Sequence, residues 1–401
     1  MKNLLVNNLN HTGNGISKEE GKIIFIEKSI PGDIVTIKNK IEYKNYSKAT
    51  IDQIITKSKD RIIPKCPYYN ECGGCQIMAM NYEKQLQYKK EKVQNIFKKY
   101  SNLDINPNIV PSYQFGYRNK ITLQVQNGII GLFKESSNTI IEISECFLVS
   151  DKINNLIKII KKNINTKYLN KIMIREATSG LMVVFYGQVS KNEIVDNLKN
   201  YVSSIYINSK CIYGSSCIFD KLDKYNFRIS PESFYQVNKL QTINLYNQVK
   251  TYLNKANNIM DLYCGTGTIG IYVSDKCKKI LGIEINKSAI IDANKNKEIN
   301  NIANINFRCG SVGKLISIKD KYDAIIVDPP RSGLDKKTRR ILLNILPSKI
   351  IYVSCDPMTL SRDIQELSSN YELEDITLFD MFPNTYHVES VLLLSLKNVD
   401  K

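Results

Sequence analysis

Short runs of alternating hydrophobic and polar residues fill the first 58 positions of the chain. Strand-like runs at 22–26, 33–37 and 49–55 are separated by turn signals such as Asn14-Gly15 and Pro31-Gly32. Several short strands joined by such turns are typical of a small β-barrel of the OB type, a fold that commonly binds oligonucleotides. The pattern therefore predicts an N-terminal barrel over residues 1–58.

The middle of the chain, 59–229, mixes both periodicities. A charged helix is predicted around 82–100, and the apolar run 181–186 predicts a strand. The runs 117–125 and 128–133 flank Asn127-Gly128 and predict a hairpin. We expect a mixed α/β central domain.

From residue 230 to 401, strand patterns alternate with helix patterns, which predicts an α/β domain with a mostly parallel sheet. Ser230 followed by Pro231 fits an N-cap and a first helical residue, so we expect the first helix of this domain to begin there.

The amino-acid composition also indicates which class of partner the protein binds. The 401 residues carry a formal net charge of +17, which favours an anionic partner, with nucleic acid first, although a composition rich in Lys, Asn and Ile also raises the charge. The 24 Tyr and 12 Phe supply aromatic faces on which bases can stack. No apolar run is long enough for a transmembrane helix or a signal peptide, so we expect a cytoplasmic protein without a membrane partner. Ten cysteines in such a chain favour a metal site or catalysis over disulfides.

Two apolar runs end in reactive side chains. The run 324–327 leads into Asp328, and the run 349–353 leads through Ser354 into Cys355, with proline close behind each. In an open α/β sheet the functional sites lie at the carboxyl ends of the strands. Cys355 is therefore a candidate nucleophile.

A third strand pattern, 258–263, runs into the glycine-rich segment 264–270. As a bare G-x-G-x-x-G this segment also fits a dinucleotide-binding fold. Asp261 lies four residues before the first glycine, as in the D-x-x-x-G-x-G pattern of class I methyltransferases. Glu284 ends the next strand, where an acid can bind ribose hydroxyls, as it also does in NAD-binding folds. Together with Asp328 the pattern favours S-adenosylmethionine.

Asp328-Pro329-Pro330-Arg331-Ser332-Gly333, the segment 350–359 around Cys355, and 382–390 with its Thr385-Tyr386-His387-Val388-Glu389 resemble the motifs of RNA 5-methyluridine methyltransferases. The resemblance extends over essentially the whole chain. It implies a class I (Rossmann-like) methyltransferase domain over 230–401, preceded by a central RNA-binding domain. Segments around Gly13, Pro31 and Tyr43 resemble a TRAM domain, an RNA-binding barrel.

The chemistry explains the residues. Carbon 5 of uracil is a poor nucleophile until a thiolate adds to carbon 6, and a base must later remove the carbon-5 proton so that the thiolate can leave. The resemblance implies that Cys355 is the nucleophile and Glu389 the base. The segments 374–381 and 387–396 would form an antiparallel pair that returns Glu389 towards Cys355.

The resemblance also implies a cofactor set for S-adenosylmethionine, namely Gln236, Tyr263, Glu284 and Asp328. Two positions depart from the family pattern. Asp356 stands where Asn is common and adds a negative charge that opposes thiolate formation. Ser311 stands where an acid is frequent, which leaves the adenine contacts there open.

Cys66, Cys72 and Cys75 form a cluster to which Cys146 can add a fourth ligand. Spacing alone leaves zinc and an iron–sulfur cluster open, because only one short C-x2-C knuckle is present. Resemblance to the ribosomal-RNA branch of the family implies a [4Fe–4S] cluster with a structural or RNA-orienting role. The five cysteines outside this cluster and Cys355 are expected to be ordinary thiols.

The expected function is therefore methylation of carbon 5 of a uridine in 23S ribosomal RNA by a monomer, with the target base flipped out of its stack. The same reaction on transfer RNA is the first alternative. The barrel and the cysteine cluster favour ribosomal RNA, since bacterial transfer-RNA enzymes of the family typically lack both. A ribosome-assembly factor that binds RNA without catalysis is the alternative from another class, and Cys355 and Glu389 argue against it.

Overall fold

A computed structural model describes residues 2–316 and 321–397. The N-terminal domain is one six-stranded sheet in the order β1-β5-β6-β4-β3-β2. Its strands are β1 (Leu4–Leu5), β2 (Asn8–Leu9), β3 (Gly15–Glu19), β4 (Lys22–Glu27), β5 (Ile34–Glu42) and β6 (Tyr46–Thr56). Alternation buries Ile24 and Ile26 of β4 in its core. The Asn7 amide donates to the Ile16 carbonyl (2.9 Å), which brings the chain after β1 against β3, as in a small barrel.

The central segment has a seven-stranded sheet in the order β10-β9-β8-β11-β12-β13-β14 and a separate hairpin, β15-β16. Its helices are α1 (Tyr82–Tyr100), α2 (Asp151–Asn163) and α3 (Lys191–Leu198). Its strands are β7 (Asn108–Val110), β8 (Lys120–Gln126), β9 (Ile129–Phe133), β10 (Ile140–Glu142), β11 (Leu169–Ala177), β12 (Gly180–Gly187), β13 (Ser204–Ile207), β14 (Lys210–Gly214), β15 (Ile218–Leu222) and β16 (Tyr225–Ile229). The predicted helix, hairpin and strand are confirmed as α1, β8-β9 and β12.

The C-terminal domain is built on an eight-stranded sheet in the order β19-β18-β17-β20-β21-β23-β22-β7. Its strands are β17 (Ala256–Leu262), β18 (Cys277–Glu284), β19 (Ile305–Cys309), β20 (Ala324–Val327), β21 (Lys349–Ser354), β22 (Tyr371–Phe379) and β23 (Glu389–Leu396). Its helices are α4 (Lys239–Leu253), α5 (Thr268–Tyr272), α6 (Lys287–Ile299), α7 (Val312–Leu315), α8 (Lys336–Ile345) and α9 (Pro357–Leu367). The strands from β19 to β21 are parallel and β23 is antiparallel to both neighbours, which confirms the predicted class I sheet and its closing pair.

The prediction that a helix begins at Ser230-Pro231 was wrong. Residues 231–232 form a turn, and α4 begins at Lys239 with Asn238 as its N-cap. The Ser230 hydroxyl instead donates to the buried Asp292 carboxylate (2.8 Å), which removes it from the capping role.

Two elements of the central segment pack with the C-terminal sheet. Strand β7 runs parallel to β22 at its edge, with Asn108 opposite Thr377. Helix α1 buries Val93 and Phe97 in the same core as Leu360 of α9. The boundaries at residues 58 and 229 remain predictions. Within residues 2–316 and 321–397, no helix combines the length and apolar character needed to cross a membrane.

Candidate active site and cofactor site

Cys355 and Glu389 lie at the same edge of the C-terminal sheet. Strands β21 and β23 are antiparallel with Ser354 opposite Ser390, so the residue after β21 and the first residue of β23 are neighbours. Cys355 is partly buried, and the side chain of Glu389 is 5% exposed. The predicted return of Glu389 to Cys355 is confirmed in its geometry, while their catalytic roles stay predictions.

Burial dominates the electrostatics of this edge. Burial raises the pKa of Glu389 to about 8, the charge of Asp328 adds to the rise, and Arg331 opposes it. Burial also raises the pKa of Asp328 to about 7. The pKa of Cys355 rises to about 12 because of burial first, then the negative charges of Glu389 and Asp328. At neutral pH the free protein therefore keeps this thiol protonated.

Asp356, which stands next to Cys355 where Asn is common in the family, caps a helix. Its Oδ1 accepts hydrogen bonds from the amides of Met358 (2.9 Å) and Thr359 (3.1 Å), so it caps α9. It raises the pKa of Cys355 as expected, but less than Glu389 and Asp328 do. The positive end of the helix dipole lies at the same N-terminus and acts on the thiol in the opposite sense, so it offsets part of the effect of Asp356.

Arg331 brings a positive charge to this edge of the sheet. Its Nη2 lies 3.4 Å from Nε2 of His387, and its charge lowers the pKa of both Cys355 and Glu389. Burial, then Arg331, lowers the pKa of His387 to about 3, so the imidazole is neutral. In the sequence, Arg331 was named only as one member of the Asp328–Gly333 motif, with no role of its own.

The glycine-rich turn after β17 forms a cradle. A Cβ added to Gly267 (φ +78°) would lie 2.5 Å from Cζ of Phe307, so only glycine fits. Asp261 is fully buried, its Oδ2 accepts from the Gly270 amide (2.9 Å), and its Oδ1 has no partner within the described residues. Burial raises its pKa to about 8. A buried oxygen left free beside a cradle fits a polar ligand group.

The other predicted cofactor residues surround this turn to different degrees. Glu284 ends β18, and its Oε2 accepts from the Gly265 amide (3.2 Å). Tyr263 follows β17 directly, and its hydroxyl lies 3.3 Å from Oγ1 of Thr338. Gln236 lies before α4, where its carbonyl accepts from the side chain of Asn119 (3.0 Å). Glu284 and Tyr263 thus adjoin the glycine-rich turn, whereas the role of Gln236 rests on the resemblance.

The four predicted cysteine ligands, Cys66, Cys72, Cys75 and Cys146, line one cavity of about 560 Å³. All are free thiols. Burial raises the pKa of Cys75, and the nearby Cys146 and Cys72 add to the rise. Nevertheless, no group of three or more His, Cys, Asp or Glu residues in the described part of the chain is arranged to hold a metal ion. The structure brings the four thiols together and does not show a metal site.

Lys28 of the N-terminal domain lies beside these cysteines. Its Nζ donates to the carbonyl oxygens of Cys72 (2.9 Å) and Cys75 and pairs with Glu135 (3.2 Å). It is 8% exposed. Sequence reasoning missed Lys28, because a lone lysine in a strand-rich segment carries no signal for a contact so distant in sequence.

The sheet order, the glycine-rich cradle and the acid that ends β18 define a class I methyltransferase, whose methyl donor is S-adenosylmethionine. A family model described as tRNA (Uracil-5-)-methyltransferase matches residues 205–397. The chain belongs to this family of RNA uracil-5 methyltransferases.

Whole-chain relatives support that assignment. RNA methyltransferases of Staphylococcus aureus (strain MRSA252) and Clostridium tetani are each 34% identical, and the alignments cover 97% and 98% of this chain and 96% of each relative. The crystal structure of Pyrococcus abyssi tRNA (uracil-54, C5)-methyltransferase, solved with S-adenosyl-L-homocysteine, aligns with a TM-score of 0.83 and 30% identity. That alignment covers 98% of this chain and 99% of the Pyrococcus chain.

Proposed function

We propose that the protein methylates carbon 5 of a uridine in 23S ribosomal RNA through a covalent adduct between Cys355 and carbon 6 of the base. The observation that carries this proposal is the meeting of Cys355 with the buried Glu389 at one edge of the sheet. A nucleophile and a base at the same edge match the two tasks of the reaction.

The steps follow from these two side chains. The thiol of Cys355 gives its proton to solvent water and its sulfur bonds to carbon 6, while the electron pair of the 5,6 double bond shifts towards carbon 5 and its neighbouring carbonyl, which makes carbon 5 enolate-like. Carbon 5 then takes the methyl group that S-adenosylmethionine supplies, and the bond between that methyl group and the sulfonium sulfur breaks, so S-adenosylhomocysteine is the leaving group. The Glu389 carboxylate removes the carbon-5 proton, the electron pair re-forms the double bond to carbon 6, and the carbon–sulfur bond breaks. Arg331 assists the first step because its charge lowers the pKa of the thiol.

Isotope labelling tests this reaction. The protein is incubated with undermodified 23S ribosomal RNA and methyl-labelled S-adenosylmethionine, and 5-methyluridine is mapped. Cys355→Ala should abolish incorporation, whereas Cys211→Ala, a change at a cysteine on β14 of the central sheet, should not. Incorporation by Cys355→Ala would contradict the covalent mechanism and leave the enzyme class intact.

Transfer RNA is the second candidate substrate, and a specific observation favours it. The Pyrococcus protein, described as a tRNA (uracil-54, C5)-methyltransferase, aligns with nearly the entire chain. The N-terminal domain and the cysteine cluster therefore do not by themselves select ribosomal RNA. The labelling assay run in parallel on transfer RNA that lacks 5-methyluridine separates the two substrates.

We also propose that Cys66, Cys72, Cys75 and Cys146 hold a [4Fe–4S] cluster. Support comes from the donor set, four free thiols around one cavity, which suits iron–sulfur ligation. Such a cluster would be structural, because methyl transfer consumes no electrons. Anaerobic purification followed by iron, sulfide and zinc analysis tests it. About four irons and four sulfides per chain are expected, and their loss in Cys75→Ser, whereas zinc without sulfide would contradict the proposal.

A further inference from the structure

The connection between β22 and β23, residues 380–388, carries the predicted base at its end; we call it the base loop. Its two ends are joined, because Phe379 pairs with Glu389. Glu389 is buried, so its carboxylate moves only if the loop or the strand end moves. Whatever holds the base loop therefore sets the place of the carboxylate.

Helix α1 holds one side of the base loop. Gln85, Lys89 and Lys92 follow each other at intervals of four and three residues, which places them on one helix face. The Lys89 ammonium pairs with Asp380 and donates to the Phe382 carbonyl (3.0 Å). The Lys92 ammonium donates to the carbonyl of Tyr386 (2.9 Å).

Asn384 is the centre of the base loop. It is fully buried, and its φ of +68° lies in the left-handed region, which asparagine tolerates better than most residues. Its backbone amide donates to Oε1 of Gln85 (2.9 Å), and its side-chain Oδ1 accepts from Nε2 of Gln85 (3.2 Å). Its Nδ2 donates to the Gln114 carbonyl (2.8 Å).

The backbone carbonyl oxygen of Asn384 binds the segment that follows Cys75, which we call the cysteine segment. Its carbonyl accepts from the amides of Gln76 and Ile77, both at 3.1 Å, and these residues directly follow Cys75. One buried residue thus joins the cysteine segment, helix α1 and the base loop. A buried polar network with every partner in place specifies one arrangement, because an unmade bond there is costly.

We propose that Asn384 is a positioning residue that holds Glu389 where it can remove the carbon-5 proton. This inference rests on the proposed function and adds a role that the sequence motifs do not assign. Asn384 contacts neither base nor cofactor in this role; it acts through the base loop.

The chemistry gives the inference a distinct signature. Addition of Cys355 to carbon 6 and methyl transfer to carbon 5 do not require Glu389, whereas removal of the carbon-5 proton does. A displaced Glu389 leaves the carbon–sulfur bond intact after methyl transfer. A methylated protein–RNA adduct that survives denaturation should then accumulate.

Asn384→Gly is the principal variant, because glycine keeps the left-handed φ and the backbone bonds to Gln76 and Ile77 but loses the side-chain bonds. Gln85→Ala removes the shared Oδ1–Nε2 bond from the partner side, together with the bond to the backbone amide of Asn384. With full-length protein, the best RNA substrate and S-adenosylmethionine, both variants should release tritium from [5-³H]uridine RNA about tenfold more slowly. The denaturation-resistant adduct should rise several-fold, with the KM for RNA within about twofold of wild type. The double variant should slow tritium release by less than the product of the two single effects, as expected for residues that share a contact.

Gln87→Ala is the matched control, since Gln87 is exposed on α1 and bonds Glu91. It should leave tritium release and adduct unchanged. Unchanged tritium release in Asn384→Gly would overturn the inference. The inference would also be overturned if both variants formed less adduct, turned over more slowly and had a lower Tm. Such a result is expected when a residue only stabilises the fold. Wild-type protein that releases no tritium from any RNA would contradict the proposed function instead.

Discussion

At the scale of single residues, the site is governed by carboxyl groups kept away from water. Burial raises the pKa of Glu389 to about 8 and that of Asp328 to about 7. A base with a pKa near the working pH is suited to taking up and releasing a proton in each turnover. The pairing of Cys355 with Glu389 was predictable from two motifs. The task of Asn384 was not, because its partners come from three separate parts of the chain.

Replacing Arg331 by Gln should shift the pH dependence of methylation. Arg331 lowers the pKa of both Cys355 and Glu389, so its loss raises both. Both groups act in their deprotonated forms, so the rising limb of the profile of kcat/KM against pH should move to higher pH by about half a unit or more. Arg340→Gln, which changes an exposed arginine, is the control and should leave the limb in place. If the rising limb of the pH profile did not move in Arg331→Gln, the electrostatic role of Arg331 would be contradicted.

Replacing Glu389 by Gln should stabilise the fold at alkaline pH. A carboxyl whose pKa rises from 4.5 to about 8 on folding contributes stability at low pH that is lost as the pH rises through that range. The neutral amide avoids the loss, and a gain on the order of 1–3 kcal/mol is expected at pH 8. Thermal unfolding at pH 5 and pH 8 measures it. An equal change at both pH values would show that charge burial is not the cause.

At the scale of elements, helices and strands with a regular hydrophobic pattern were predictable. The elements that were predicted wrongly or missed depend on contacts between residues distant in sequence. Strands β4, β5 and β6 of the N-terminal domain, helix α1, and the parallel strands β17, β18, β20 and β21 follow from periodicity and turn residues. The predicted helix start at Ser230 failed because Asp292 takes that hydroxyl. Strand β7 was missed, since three residues carry no period and it forms only against β22.

The buried ion pair of Lys89 with Asp380 joins α1 to the C-terminal sheet, and both side chains are 0% exposed. Lys89→Met should lower the unfolding free energy by about 3–5 kcal/mol, because it leaves a buried carboxylate without its cation. Adding Asp380→Asn should recover part of that loss, since the amide oxygen can still accept from Tyr82. Lys98→Met, at an exposed position of α1, should change stability by less than about 0.5 kcal/mol in the same denaturant titration. A double variant as unstable as Lys89→Met would refute the charge argument.

At the scale of the whole molecule, positive charge collects beside the cysteine cavity. Lys120 lines that cavity, and its pKa falls to about 8 because of burial first, then the charges of Arg175 and Lys171. Positive charges gathered in this way favour an anionic ligand. A net charge of +17 fits the RNA substrate of the family.

Lys120→Gln should weaken RNA binding and reduce the slope of log Kd against log salt by about one, as expected for the loss of one phosphate contact. Lys191→Gln is the control, because α3 packs on the opposite face of the central sheet. Fluorescence anisotropy at several salt concentrations measures both. Equal slopes in wild type and Lys120→Gln would place the RNA elsewhere.

The pairing of β7 with β22 has a consequence for synthesis. Asn108 leaves the ribosome long before Thr377, its neighbour in the sheet, has been translated. The methyltransferase sheet therefore cannot complete its edge during elongation, and the late closure of so long a loop slows folding. Between its own release and its pairing with β7, β22 presents an open strand edge of the kind that invites aggregation. Expression of residues 230–401 alone would make that edge permanent, so the early part of the chain serves the later part as a built-in folding partner.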